Sequence, residues 1–214
     1  MEVISIMVDF ILHVDKHLLN ISNMLGIWAY VILFLVIFCE TGLVVTPFLP
    51  GDSFLFATGV LAGIEIFDIR ALIPLLIIAA ISGDMVNYWI GKQLGDKIYR
   101  RGKLLFINKN HLDKAQAFYI KNGFKAIILA RFVPIVRTFA PFVAGMSNMP
   151  YATFTRYNVI GAFIWVIGFV VAGYLFGTIP IIANNIGVIS IIIVVISVVP
   201  LILEFVANRQ EKKK

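Results

Sequence analysis

Between Leu25 and Gly63 the chain carries two charged side chains, both acids, Glu40 and Asp52. Between Ala126 and Thr155 it carries two more, both arginines, Arg131 and Arg137. Charges inside otherwise apolar, membrane-length sequence are costly and mark functional sites. An acid held in low dielectric can take up and release a proton near neutral pH. A guanidinium stays charged and offers a fork of donors that fits phosphate or carboxylate. One stretch of carboxylates and one of guanidiniums point to a transport site that couples protons, at Glu40 and Asp52, to an anionic substrate, at Arg131 and Arg137.

Each of these residues also has a structural reading. Asp52 follows Pro50 and Gly51 and can cap a half-helix through backbone amides, a role compatible with proton exchange. Both acids can instead sit at the water interface. Glu40 stands where no cap is needed. The arginines are six residues apart across Pro134, close enough to converge on one spot. They can also snorkel to lipid headgroups or pair with Glu40, Asp52 or Asp84. Asp84, directly after Gly83, can orient an arginine, relay a proton or act as a structural partner to one of them. Gly51, Gly63, Gly83 and Gly145 read as sites of backbone bending and close packing. Pro50, Gly51, Pro134 and Gly145, with Asp84, are expected to support the charged groups and not to bind ligand themselves.

Other chemistries find no residues. His13, His17 and His111 lie outside the two apolar stretches, and no glutamate completes a zinc-protease pattern with the first two. There is no Walker loop and no dinucleotide fingerprint. An enzyme acting on lipid phosphates would need a nucleophile beside the arginines, and none is apparent. No enzymatic activity, metal or cofactor is therefore expected. The single cysteine, Cys39, excludes an internal disulfide and reads as a small packing residue.

The elements that must position the charges belong to a membrane. The chain has 214 residues, is 60% hydrophobic and carries a net charge of +6. That apolar fraction exceeds what a soluble core of this length uses. The positive charge lies mainly between apolar segments, where it orients a membrane protein and does not signal nucleic acid. No basic leader with a cleavage site precedes the first segment, so no removable signal peptide is expected.

Residues 1–24 alternate apolar and charged positions at helical spacing and predict an amphipathic interfacial helix. Residues 25–63 form an apolar hairpin whose centre, Thr-Pro-Phe-Leu-Pro-Gly-Asp at 46–52, breaks helix. It is either a re-entrant hairpin, the favoured reading, or two full spans joined by an outside loop. Residues 71–95 predict a spanning helix, and 96–125 a polar loop with eight Lys/Arg, two acids and a surface helix near 111–122. The thirty residues of 126–155 are too few for two crossings at about 20 residues each. Pro134, Pro141 and Gly145 break their middle, so a second re-entrant hairpin is expected. Spans follow at 157–177 and 186–207, the first with a Gly173–Gly177 packing pair, and 208–214 form a basic tail.

Placing the basic loop and the tail in the cytoplasm satisfies the positive-inside rule. The first hairpin then enters from outside and the second from inside. The expected fold is an all-α polytopic membrane protein. It has two inverted repeats, each a re-entrant helical hairpin plus a transmembrane helix, with an extra C-terminal transmembrane helix. Residues 25–207 form one transport domain. A faint echo between Gly83, Trp89, Gly91 and Gly95 and Gly161, Trp165, Gly168 and Gly173 accompanies the repeat. Opposed broken elements of this kind recur in secondary transporters.

Several motifs resemble those of the DedA family, the bacterial branch of the VTT, or SNARE-associated Golgi protein, group. They are Glu40-Thr-Gly, Pro47-x-x-Pro-Gly-Asp52, Gly83-Asp84-x-x-x-Tyr88-Trp89-x-Gly91 and Phe118-x-x-x-x-Gly123. The run Arg131-Phe-Val-Pro134-x-x-Arg137-x-x-x-Pro141-x-x-Ala144-Gly145-x-x-x-Met149 is similar to the family's as well. The resemblance covers about 25–180 and implies an inner-membrane, proton-dependent transporter with two opposed re-entrant hairpins. It implies that Glu40, Asp52, Arg131 and Arg137 are the essential charges. Family members are described as translocating polyprenyl phosphate or phosphatidylethanolamine. The expected partners are therefore protons and a lipid, either polyprenyl phosphate, with undecaprenyl phosphate first, or a phospholipid. No nucleic acid is expected, and the paired glycines leave room for a homodimer. A phospholipid scramblase or ion transporter supporting envelope integrity is the alternative.

Overall fold

Proline and glycine divide this apolar chain into helices of two lengths. The computed structural model describes residues 26–43, 51–101, 125–147, 149–177 and 179. Among them every regular element is helical: α1 (Trp28–Gly42), α2 (Gly51–Gly63), α3 (Ile69–Arg101), α4 (Ala126–Ala130), α5 (Pro134–Met146) and α6 (Tyr151–Gly177). The apolar parts of α3, Ile69–Leu94, and of α6, Tyr151–Gly177, are long enough to cross a bilayer. At 1.5 Å per residue each reaches about 40 Å, against about 30 Å of hydrocarbon. The others, of 15 residues or fewer, are too short to do so. The expected interfacial helix at 1–24, the break at 44–50 with Pro50, the surface helix near 111–122, the span at 186–207 and the tail at 208–214 lie outside the described residues.

Three boundaries differ from the expected ones. Helix α3 continues to Arg101, past the expected start of the polar loop. Helix α6 begins at Tyr151, ahead of the expected 157, because the Pro150 carbonyl already accepts a bond from Phe154 N–H at 3.0 Å. The break in the second hairpin falls at Arg131-Phe132-Val133, before Pro134. There the N–H groups of Arg131, Phe132 and Val133 each reach back three residues, tightening the end of α4. Val133 is extended, as a residue before proline prefers, and Pro134 opens α5, where its missing N–H is harmless. Pro141 and Gly145 lie inside α5 and do not end it.

The chain divides into two compact units. Of the described residues, the first takes in 26–29, 51–72, 167–177 and 179, the second 30–43, 73–101, 125–147 and 149–166. In the first, α2 is buried on every side from Ser53 to Ala62. It lies so close to α6 that a methyl at Gly59 would meet the Val170 backbone, and one at Gly173 the Phe56 carbonyl. The Gly173–Gly177 pair thus packs within the chain, against Phe56 and Val60. Helix α2 stops in a Schellman motif: Ile66 N–H bonds Leu61 O at 2.9 Å, and Glu65 N–H bonds Ala62 O at 3.1 Å. Glu65 takes the left-handed position that glycine usually fills, at φ 65°. Asp68 then caps α3, its carboxylate accepting from Arg70 N–H at 2.8 Å.

In the second unit α3 is the central element. A side chain at Gly83 would strike Thr41 and the Phe38 carbonyl of α1. One at Gly91 would strike the Phe142 carbonyl of α5, and one at Gly145 the Tyr88 carbonyl of α3. Small residues therefore let α1, α3 and α5 approach backbone to backbone. Tyr88, Ile127, Ala144, Met149 and Phe154 form a core cluster. The Tyr88 ring stacks on Phe154 at 4.6 Å, and its hydroxyl donates to Met149 O at 2.5 Å.

Candidate functional site

The close helix contacts of the second unit bring four charged residues into its interior. Glu40 ends α1, Asp84 lies mid-way along α3, Arg131 sits at the break after α4, and Arg137 lies in the first turn of α5. All four are buried, none more than 8% exposed. Arg131 Nη2 donates to Asp84 Oδ2 and, at 2.6 Å, to Asn158 Oδ1 of α6. Asn158 in turn donates from Nδ2 to the Ile81 carbonyl of α3 at 3.2 Å. Arg137 Nη2 lies 2.9 Å from Glu40 Oε1 as an ion pair, off-line for a hydrogen bond at that nitrogen. Two carboxylates and two guanidiniums make these contacts neutral in sum.

The pairing follows from where the chain breaks. The turn at 131–133 carries Arg131 at its start and sets Arg137 one turn into the next helix. Gly161 of α6 leaves space for the Arg131 stem, whose Nε would lie 3.0 Å from a methyl at that position. Nε and Nη1 of Arg131 are buried and have no hydrogen-bond partner among the described residues. Trp165, one turn further along α6, presents its ring to both cations: Cζ of Arg137 lies 3.9 Å from the centroid and Cζ of Arg131 5.6 Å. Desolvated cation–π contacts of this kind contribute about 2 kcal/mol.

A second polar device aligns the helices beside the ion pairs. Asn87 of α3 is fully buried and donates from one nitrogen to the Thr41 carbonyl at 3.1 Å and the Thr138 carbonyl at 2.9 Å. Those carbonyls belong to the residues next to Glu40 and Arg137. One carboxamide thus ties together the two backbones whose side chains form the ion pair.

The structure brings Glu40 to Arg137 and Asp84 to Arg131. Asp52 stands in the first turn of α2, half-buried in the first unit, where the helix dipole favours a carboxylate. Gly51 opens the same helix and is buried. Pro134 opens α5, and Gly145 lies beneath the Tyr88 carbonyl. Arg156 is exposed in the second turn of α6. Asn87, Asn158 and Trp165 were not singled out from sequence as site residues. Their signal was present: Asp84, Asn87, Tyr88 and Gly91 share one face of α3, and Asn158, Gly161 and Trp165 one face of α6. Among the described residues no group of acids, histidines and cysteines is fit to hold a metal ion.

Comparison with known proteins adds an independent line. A family model described as the VTT domain matches residues 49–175. Protein DedA of Escherichia coli is 51% identical over 212 residues, 98% of this chain and 97% of that protein. An uncharacterized membrane protein of Mycobacterium leprae is 38% identical over 165 residues, 77% of this chain and 74% of its own. Inner membrane protein YqjA of Escherichia coli is 32% identical over 181 residues, 85% of this chain and 82% of its own. No solved structure matches the chain significantly.

Proposed function

This chain belongs to the VTT-domain family, as a DedA-type membrane protein, and on that premise we propose that it is a bacterial inner-membrane transporter. Its substrate is an anionic lipid phosphate, undecaprenyl phosphate first, moved in exchange for protons. The observation that carries this reading is the burial of two arginines, each against its own carboxylate, within an apolar helical assembly. A buried ion pair gives little net stability compared with an apolar core, so its retention asks for a use. Among the described residues Arg131 makes its hydrogen bonds through Nη2, and its remaining donors suit the oxygens of a phosphate. The acyl or prenyl tail stays in lipid while the headgroup moves between guanidiniums.

In the cycle we infer, Glu40 and Asp52 are the proton-exchanging acids and Arg131 and Arg137 the phosphate ligands. Asp84 holds Arg131 in the resting state. Protonation of Glu40 opens its pair with Arg137, and the incoming phosphate then takes the cation in place of that acid. The charge that crosses low dielectric stays neutralised throughout. The short helices α1, α2 and α5 support re-entrant hairpins over 25–63 and 126–155, because none is long enough to cross. With α3, α6 and the apolar segment at 186–207 they make up one transport domain over 25–207, its basic tail in the cytoplasm. The neutral sum of the charged cluster also suits a zwitterionic headgroup such as phosphatidylethanolamine, which is the second reading.

Flipping in proteoliposomes tests both. Wild type, Glu40→Gln and Arg131→Ala are compared with polyprenyl phosphate or phosphatidylethanolamine, with and without a pH gradient. Gradient-dependent movement of polyprenyl phosphate, lost in both variants, supports the first reading. Movement of phosphatidylethanolamine alone selects the second.

A further inference from the structure

Glu40 touches Arg137 and Asp84 touches Arg131, and Trp165 faces both cations. Its indole is fully buried, and its centroid lies 3.9 Å from Arg137 Cζ and 5.6 Å from Arg131 Cζ. A site that exchanges a carboxylate for a substrate anion must pass through a state in which one guanidinium has lost its acid. A buried charge left without its partner is the costliest state such a site can enter. An aromatic face differs from a carboxylate in two respects that matter here. It takes no proton, and an incoming anion does not compete for it, so it acts on the cation in every state. Arg131 has Asn158 as a further hold, and Arg137 has the closer approach to the ring.

We propose that Trp165 is the positioning residue that keeps Arg137 in the site while Glu40 is protonated or displaced by the substrate phosphate. The inference rests on the proton-for-anion reading above and assigns it a part not taken by any acid. In the step itself, a proton from the water side adds to a Glu40 carboxylate oxygen and the ion pair to Arg137 opens. A phosphate oxygen then accepts from the guanidinium, which remains stacked on the indole. On release the proton leaves Glu40 and the pair re-forms. Among the charged groups acting on Glu40 are Arg137 of α5, which it touches, and Arg131, itself bonded to Asp84 of α3.

Fluorinated tryptophan tests this, because fluorine drains the negative face of the ring with little change of volume. The chain has three tryptophans, and Trp28 and Trp89 are exposed at 65% and 45%. With both replaced by phenylalanine, fluorotryptophan enters at position 165 alone. The first readout is thermal unfolding of the full chain, with Glu40 and with Glu40→Gln, across a series of increasing fluorination. The expected result is a fall in midpoint per fluorine that is steeper in Glu40→Gln, where the carboxylate charge no longer acts on Arg137 beside the ring. Equal slopes in the two backgrounds, or no slope, would overturn the proposal and leave Trp165 as packing. This readout does not depend on which substrate is carried.

The second readout is polyprenyl-phosphate flipping by the same series. The half-saturating lipid concentration should rise about tenfold or more from the unsubstituted to the most fluorinated ring. If the unfluorinated protein moves no polyprenyl phosphate, the substrate reading fails, and the unfolding series still decides the role of Trp165.

Discussion

A guanidinium fixed through one nitrogen keeps its others for a guest. Arg131 spends Nη2 on Asp84 and Asn158, while Nε and Nη1 have no partner among the described residues. Lysine at this position would carry the charge without the fork, and hydrogen bonds to charged groups are each worth about 1.5–3 kcal/mol. Arg131→Lys should therefore lower flipping by about tenfold or more without unfolding the protein, as read in proteoliposomes against a thermal-shift control. Asp84→Ala removes the resting partner of the same cation and should destabilise by about 3–5 kcal/mol, because it leaves a buried charge uncompensated. The pair Asp84→Leu with Arg131→Met should recover most of that loss, and a double-mutant cycle on the unfolding midpoint checks the coupling. Asp84 was legible in sequence as a partner for an arginine, but its choice of Arg131 was not. Pairing depends on the heights at which helices meet, and those are set by contacts such as Gly83 on Thr41 and Gly145 on Tyr88. Asn87 and Asn158 share helix faces with Asp84 and Trp165, but an uncharged amide on such a face does not show which backbone or side chain it meets.

At the scale of the element, glycines govern how close the charge-bearing helices come. Alanine at Gly145 would press its methyl into the Tyr88 carbonyl, and overpacking of this kind costs about 1–3 kcal/mol. Gly145→Ala should lower the unfolding midpoint and shift α5 against α3, reducing transport although no charged residue is touched. The opposite effect is expected at the end of α2. Glu65 occupies a left-handed position at φ 65° in a Schellman motif, a conformation that costs an ordinary L-residue about 1–2 kcal/mol. Glu65→Gly should raise the midpoint, with a net gain of about 0.5–1 kcal/mol after the added freedom of the unfolded chain. The two long helices were readable from apolar length alone. The break expected across Pro134, Pro141 and Gly145 falls instead at 131–133, because Pro134 begins a helix and Pro141 and Gly145 lie inside it.

For the molecule as a whole, membership in the VTT-domain family and the buried pairs at Arg131 and Arg137 point the same way. Four of the charged residues that carry the resemblance meet in the second unit, Glu40 with Arg137 and Asp84 with Arg131, while Asp52 belongs to the first. The transport reading joins these facts through one requirement, that a proton and a lipid anion exchange at the same buried cations. The most direct measurement is proton movement driven by the lipid itself. Polyprenyl phosphate is added to one leaflet of proteoliposomes holding a pH-sensitive dye, with no gradient imposed, and lipid and proton movement are followed together. The account predicts a proton flux that accompanies lipid translocation in wild type and is lost in Glu40→Gln. Lipid translocation by wild type with no accompanying proton flux would contradict it.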